Sequence, residues 1–250
     1  MNVAVLSVGD ELLAGDTVNT NAAWLADRID DRGGRVRRIL TVPDDREMIA
    51  ETVREWTEAF DAVLVTGGIG GTPDDVTMEA VADGLDRGLV VDPHQRARLA
   101  EKARQFREEH PEMAEQYDID MDLDAATSLP EGGRPLTTEV GWAPGCAVGN
   151  VYVLPGVPDE MEAMFETVAD EFGGDVVSEV VYTPEPEGAL VSRLDAVRER
   201  FDATVGSYPG AGSTPGRLKV TGTDPVEVGA AIDWLRERVE TTDTEATKDE

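Results

Sequence analysis

Thr66-Gly67-Gly68-Ile69-Gly70-Gly71-Thr72-Pro73-Asp74-Asp75-Val76-Thr77-Met78-Glu79 is the stretch that decides the fold. The apolar run Ala62 to Thr66 before it reads as a buried strand. Met78 to Leu85 after it has the apolar spacing of a helix. A glycine-rich turn between strand and helix turns several backbone N–H groups toward one point at the positive end of the helix dipole, which makes an anion site. Asp74 and Asp75 would repel a bare phosphate, so the turn suits a phosphate ester whose charge a cation offsets. The plainer alternative is a tight turn with Asp as helix N-cap.

Working outward, the first half alternates strand and helix. Asn2 to Val8 reads as a strand, and Asn21 to Asp31 as a helix with Ala22, Ala23, Leu25, Ala26 and Ile29 on one face. Gly33-Gly34 stops that helix. Arg35 to Val42 is the second strand, and Asp44 to Phe60 a helix with Ile49, Val53 and Trp56 inward. Repeated βα units predict an α/β fold with three layers, a mostly parallel sheet between helices. Ligands on such sheets sit at the carboxyl ends of strands, so the loops after Ser7, Val42, Thr66 and Leu154 are the ones to inspect.

Pro93 to Glu115 is charged and helical, and 116 to 124 irregular, an insertion or cap rather than sheet. Gly141-Trp142-Ala143-Pro144-Gly145 is a turn leading into a short strand. Asn150 to Leu154 is another strand, and Asp159 to Phe172 a helix with Met161, Met164, Phe165 and Val168 inward. Gly173-Gly174 marks a boundary, giving a first domain over 1–174. A small α+β domain follows over 175–240: a strand from Val176, a helix to Phe201, strands Thr204 to Tyr208 and Arg217 to Thr221, and a helix to Val239. Residues 241–250 are polar and acidic and expected to be disordered.

With 250 residues and 40% hydrophobic content, the chain can bury a sizeable core. No apolar run is long enough to span a membrane, and the start lacks a signal-peptide pattern, so a cytoplasmic protein is expected. The single cysteine, Cys146, excludes an internal disulfide and reads as a buried apolar side chain. His94 and His110 lie among charged residues and read as solvated. The net charge is −30, with Lys102, Lys219 and Lys248 the only lysines. That balance argues against nonspecific binding to nucleic acid or anionic membrane.

The remaining loops are individually ambiguous. In Gly9-Asp10-Glu11-Leu12-Leu13-Ala14-Gly15, Asp10 and Glu11 follow a strand and can face a cation. Asn19-Thr20-Asn21 offers amides and a hydroxyl, with Thr20 or Asn21 a ready N-cap. Pro43-Asp44-Asp45 holds a cap for the next helix. Leu154-Pro155-Gly156-Val157-Pro158-Asp159-Glu160-Met161 pairs a rigid turn with acids that favour the helix dipole.

Together, these four loops and Gly141-Trp142-Ala143-Pro144-Gly145 resemble the amino-terminal domain of the competence/damage-inducible CinA family. The resemblance implies the molybdopterin-binding fold shared with MoaB and MogA, followed by a KH-like α+β domain. Full-length members also carry a nicotinamide-mononucleotide deamidase domain, whose activity is not carried over to this chain. The resemblance further implies a pocket for a small phosphorylated heterocycle. Its expected activity is metal-dependent hydrolysis of ADP-ribose to AMP and ribose 5-phosphate. The alternatives are molybdopterin binding or adenylyl transfer in molybdenum cofactor synthesis, or a non-catalytic pterin or nucleotide-binding module.

By motif, Asp44 and Asp75 are the expected catalytic acids. Gly67, Gly68, Gly70, Gly71, Thr72, Thr77, Asn19, Asn21, Pro155 and Gly156 are expected to bind the ligand. Asp10, Glu11 and Asp75 are expected to hold a divalent cation, magnesium or cobalt, with potassium as a further candidate. No histidine falls in these loops, so a carboxylate must activate water. Relatives of this fold suggest a homo-oligomer. A Rossmann site is a poor rival, because Pro73 stands where the third glycine is required. RNA binding is another, since Gly188 to Phe201 lacks a glycine-x-x-glycine loop and the charge is wrong.

The acidic surface predicts a protein adapted to concentrated salt, where screening suppresses self-repulsion. Thermal melts should show a higher midpoint in multimolar KCl than at low ionic strength. Equal stability in both would remove the halophilic reading.

Overall fold

The computed structural model describes residues 1–72, 74–112, 122–210 and 214–242. Pro73, residues 113–121 of the charged segment and the tail from 243 therefore lie outside the described residues. The chain forms two compact units, Met1–Ile29 with Arg35–Phe172, and Asp30–Gly34 with Gly173–Glu250.

The first unit is built on a six-stranded sheet. Its strands are β1 (Asn2–Val8), β2 (Arg35–Val42), β3 (Ala62–Thr66), β6 (Arg134–Leu136), β7 (Gly145–Val148) and β8 (Val151–Leu154), in the spatial order β2-β1-β3-β8-β7-β6. The first four in that order run parallel, and β7 joins β8 and β6 by antiparallel pairing. This is the mostly parallel sheet that the βα repeats predict.

Both faces are covered, as a parallel sheet requires. The alternation along β1 shows why the strands read as continuous apolar runs. Ala4, Leu6 and Val8 join one core with Ile49, Val53 and Trp56 of α3 (Arg46–Ala59). Val3 and Val5 join the other with Leu25 and Ile29 of α2 (Thr20–Asp31) and with Met161, Met164 and Phe165. Cys146 is fully buried in the first of these cores, and burial pushes its thiol up to about 12. It is a packing residue.

Several elements depart from the sequence expectation. The acids Asp10 and Glu11 open a short helix, α1 (Asp10–Ala14), closed by Gly15 in the left-handed conformation. Of the two aspartates that could cap α3, Asp45 does so, accepting from Met48 N at 2.9 Å. The helix after the glycine loop, α4 (Thr77–Gly84), has Val76 at its cap position and no side-chain cap, so Asp74 does not serve there. A small antiparallel pair, β4 (Leu89–Val91) with β5 (Ser128–Pro130), brackets α5 (Pro93–Glu109) and α6 (Leu123–Ala126). Three-residue strands carry too little alternation to be read from sequence. The helix expected to run to Phe172 is α7 (Pro158–Glu166), followed by a 3-10 turn over Ala169–Phe172.

The second unit pairs an antiparallel sheet in the order β10 (Thr204–Tyr208), β11 (Gly216–Gly222), β9 (Val177–Thr183) with α8 (Glu187–Arg200) and α9 (Pro225–Arg236). Leu190, Leu194, Val197, Leu218, Val220, Ile232 and Leu235 form its core. Residues 30–34 belong here because Gly174 N bonds Arg32 O at 3.1 Å and Val176 N bonds Gly33 O at 3.1 Å. Gly33-Gly34 thus does more than stop a helix.

Register fixes where the loops emerge. Thr41 pairs with Ser7, Ser7 with Thr66, and Thr66 with Leu154, one row across four parallel strands. Gly67 is the tightest point next to that row: its φ is 96°, and a Cβ there would run into the Val8 carbonyl oxygen. Gly67→Ala should therefore cost roughly 2–4 kcal/mol. Gly15→Ala is the control, since its φ is 79° with nothing within 4 Å; it should lose only about 1 kcal/mol. Equal losses in urea melts would show that the close approach to β1 contributes nothing.

Candidate ligand-binding cleft

The row of strand ends delivers four loops to one edge of the sheet. Gly9 N bonds Val42 O at 3.1 Å, and Gly67 N bonds Leu154 O at 3.2 Å. A Cβ on Gly156 would stand 3.3 Å from Gly67 Cα, so the Pro155-Gly156 turn lies directly against the glycine loop. Over them opens a cleft of about 530 Å³, within the range of small-ligand sites.

Glu11, Gly68, Gly70, Gly71, Asp75, Pro155 and Gly156 line this cleft, and all seven were expected from sequence. Gly67, Asn19 and Asn21 line a small hollow of about 70 Å³ that shares Glu11 and Gly156 with it. Thr72 lies on a further hollow of about 170 Å³, which shares Gly68 to Gly71 and Asp75 with the main cleft. Asp10, Asp44 and Thr77 are on none of these walls.

Each expected residue has a local task. Asn19 Oδ1 accepts from Ala22 N at 3.1 Å and so caps α2, a role expected of Thr20 or Asn21. Asn21 instead donates from Nδ2 to Gly156 O at 2.7 Å, tying α2 to the fourth loop. Asp75 Oδ2 accepts from Thr72 N at 2.8 Å and from Thr72 Oγ1 at 2.6 Å, which folds the glycine loop onto its own carboxylate. The same carboxylate lies beneath Gly70, where a Cβ would meet Oδ2 at 2.6 Å. Thr77 is fully buried, with its N–H on Gly68 O at 3.0 Å. A side chain on Gly68 would strike its hydroxyl. Asn21 Oδ1 and Thr77 Oγ1 are both buried without a hydrogen-bond partner among the described residues.

The acids form a field of one sign. Asp44 Oδ2 accepts from Asp10 N at 2.9 Å. Burial raises the Asp44 carboxyl above its ordinary value, the Asp10 amide opposes that rise, and the charges of Asp10, Glu11 and Asp74 add to it. Among the described residues, however, no group of three acids, histidines or cysteines is disposed to hold a metal ion. The expected ligands Asp10, Glu11 and Asp75 are neighbours around the loops, not a closed cage.

Sequence reasoning missed the rest of the lining. Ile69, Ala126, Trp142, Ala143, Val157 and Glu160 complete the cleft. Trp142 sits in a motif legible only as a turn, and Glu160 among acids legible only as dipole partners. The Trp142 wall is held by α5, the segment read as an insertion. Arg98 donates to Thr138 O at 3.4 Å and Trp142 O at 3.2 Å, and Lys102 Nζ to Glu139 O and Gly141 O, both at 2.9 Å. Phe106 meets the indole edge-on at 5.5 Å. Glu160 is half-buried, and its carboxyl is raised by burial while the Lys102 charge opposes the rise.

A match to the family described as a probable molybdopterin binding domain covers residues 4–173. A protein of Archaeoglobus fulgidus is 37% identical over 239 residues, covering 95% of this chain and 97% of the relative. A CinA-like protein of Citrifermentans bemidjiense is 43% identical over 180 residues, 70% of this chain. The chain belongs to the molybdopterin-binding-domain family. Within it, it is a CinA-like member. The crystal structure of the protein CinA from Thermoplasma acidophilum, titled as of unknown function, overlays with a TM-score of 0.59 at 36% identity, over 68% of this chain and 97% of that one. The match spans 41% of the Citrifermentans protein's length, so activities of that protein's remainder do not transfer. No helix among the described residues is long and apolar enough to cross a membrane.

The raised Asp44 carboxyl has a sign that can be measured. A folded value above the unfolded one means that ionised Asp44 costs stability at neutral pH, and that the cost fades as pH falls through the carboxylate range. Asp44→Asn should melt slightly higher than the parent at pH 7, by less than about 1 kcal/mol, with the gap closing toward pH 3. A variant that is less stable at pH 7 would show that the Asp10 hydrogen bond outweighs burial and repulsion.

Proposed function

We propose that the cleft binds a phosphorylated heterocyclic metabolite, phosphate on the glycine loop and ring toward Trp142. The observation that carries this reading is the lining of a single cleft by Gly68, Gly70 and Gly71 together with Trp142 and Ala143. Backbone N–H groups of the glycine loop between β3 and α4 supply donors, and an aromatic residue suits a planar ring.

Its enzymatic form is hydrolysis of ADP-ribose to AMP and ribose 5-phosphate. Water attacks a phosphorus of the diphosphate, the bridging P–O bond breaks, and a carboxylate takes the water proton. Asp75 stands on the cleft wall, where its second oxygen is available for that task. Asp44 acts from behind the wall, through its bond to the Asp10 amide. A divalent cation would add charge stabilisation at the phosphates. No three acid, histidine or cysteine ligands converge among the described residues, so the diphosphate and water must bring most of its donors, the usual arrangement for magnesium.

A second reading is molybdopterin binding, with or without adenylyl transfer. The description of the family matched over 4–173 favours it.

A melt-shift and turnover panel separates the two. It contains ADP-ribose, ATP, NMN, AMP and molybdopterin with magnesium, cobalt or potassium, in high salt. The enzymatic form predicts stabilisation by ADP-ribose with metal, little shift from metal alone, and release of AMP. Asp75→Ala should then lose about 100-fold or more in kcat while Asp74→Ala stays near the parent. Stabilisation without turnover in the parent supports the binding module. No shift from any phosphorylated compound would remove the proposal.

A further inference from the structure

We propose that β2 is the contact edge of a two-fold homodimer. Its stretch from Arg38 to Val42 pairs antiparallel with the same stretch of a second copy, so that Leu40 stands opposite the partner's Leu40. The inference is independent of the ligand assigned to the cleft.

β2 is the last strand on its side of the six-stranded sheet and pairs only with β1 among the described residues. At eight residues it leaves a row of main-chain donors and acceptors open, and such a row is a template for another strand. Polar side chains ordinarily blunt an edge of this kind, yet here Ile39 is 49% and Leu40 40% exposed. The exposed apolar surface continues onto the neighbouring loops. Leu13 lies in α1, which packs beside β2, and Val18 precedes Asn19, whose amide reaches Thr41 Oγ1 at 3.4 Å. Contiguous exposed aliphatic side chains on an edge strand mark an interaction surface.

The main-chain pattern fixes the register. Gly9 N bonds Val42 O, so the bonding groups of Val42 face β1. By alternation those of Leu40 do too, and those of Ile39 and Thr41 point away from the sheet. Toward the start of the strand the alternation breaks: Val3 pairs with Val36 and Ala4 with Arg38, which leaves Arg37 as a bulge. On the straight part, Ile39 and Thr41 are therefore the residues with outward groups. An antiparallel mate exchanges bonds between outward residues. Setting Ile39 against the partner's Thr41, and Thr41 against the partner's Ile39, satisfies every one of these groups in both copies. Leu40 then meets the partner's Leu40 in the close pair between them, and Arg38 meets the partner's Val42.

Charge selects a second copy of this chain as the occupant. β2 opens with Arg35, Arg37 and Arg38, whereas the segment just past its end carries Asp45 and Glu47. Antiparallel self-pairing lays the basic start of one strand beside the acidic exit of the other, and the two-fold axis repeats that contact. Arg37 and Asp45 are both exposed. No like charges stand directly opposite, because Arg38 faces an apolar residue and has Glu55 of its own copy at 3.5 Å. A parallel mate would set arginine against arginine.

The test is light scattering of the full chain across a dilution series in high salt, with a thermal melt at each concentration. The parent should have about twice the mass of one chain and a melting midpoint that rises with concentration. Leu40→Arg sets two guanidinium groups face to face. It should have the mass of one chain and a midpoint that concentration does not move, matching the parent at the greatest dilution. Oxidised Leu40→Cys should form a disulfide-linked pair, because directly opposed residues lie within the separation a disulfide spans, whereas Ile39→Cys should not. Cys146 is fully buried and adds no background. A parent with the mass of one chain or of three, an unaltered mass in Leu40→Arg, or faster linking of Ile39→Cys than of Leu40→Cys overturns the assignment.

Discussion

The close approach of Gly67 to the end of β1 is the constraint on which the rest of this site depends. The strand row Thr41, Ser7, Thr66 and Leu154 brings four chain segments to one level. Only a residue without a side chain lets the third segment turn there, against the Val8 carbonyl on one side and Gly156 on the other. With that turn made, Gly68 lies over Thr77 and Gly70 over Asp75. Moving Gly67 outward would separate the loop from Gly156 and open the floor of the cleft.

Electrostatically, the site holds two opposed demands. The glycine loop offers positive dipoles, whereas Asp10, Glu11, Asp44 and Asp75 surround it with negative charge. Some of that charge is absorbed locally. Thr72 donates twice to Asp75, and the Asp10 amide donates to Asp44. The remainder still repels, and it adds to the burial that raises the Asp44 carboxyl. Groups kept in mutual repulsion at a strand edge cost stability, which is the pattern expected where chemistry rather than folding sets the residue.

Much of this was legible in the chain. The parallel sheet followed from apolar runs such as Ala62 to Thr66 alternating with helical spacing such as Ile49, Val53 and Trp56. The convergence of Gly68, Gly71, Asp75, Pro155 and Gly156 followed from topology, because parallel strands emit their loops at one edge. Capping was less legible: with two aspartates in a row at 44 and 45, or Asn-Thr-Asn at 19 to 21, dihedral angles choose the cap and sequence does not show them. The Trp142 wall was legible only as a turn. It is assembled by side chains of α5 reaching some forty positions along the chain to backbone carbonyls, and carbonyls leave no trace in a sequence.

That clamp has a consequence for how such a protein can change over time. The phosphate side of the cleft is locked into the sheet, where altering Gly67 or Gly156 disturbs several strands at once. The ring side hangs from one helix whose grip is on main-chain oxygens, indifferent to which side chains the gripped loop carries. Substitutions at positions 139, 140, 142 or 143 can therefore accumulate without loosening the hold of Arg98 and Lys102. A lineage built on this frame is free to exchange one aromatic or polar ring contact for another and so drift between related metabolites, while its anchor for phosphate stays fixed.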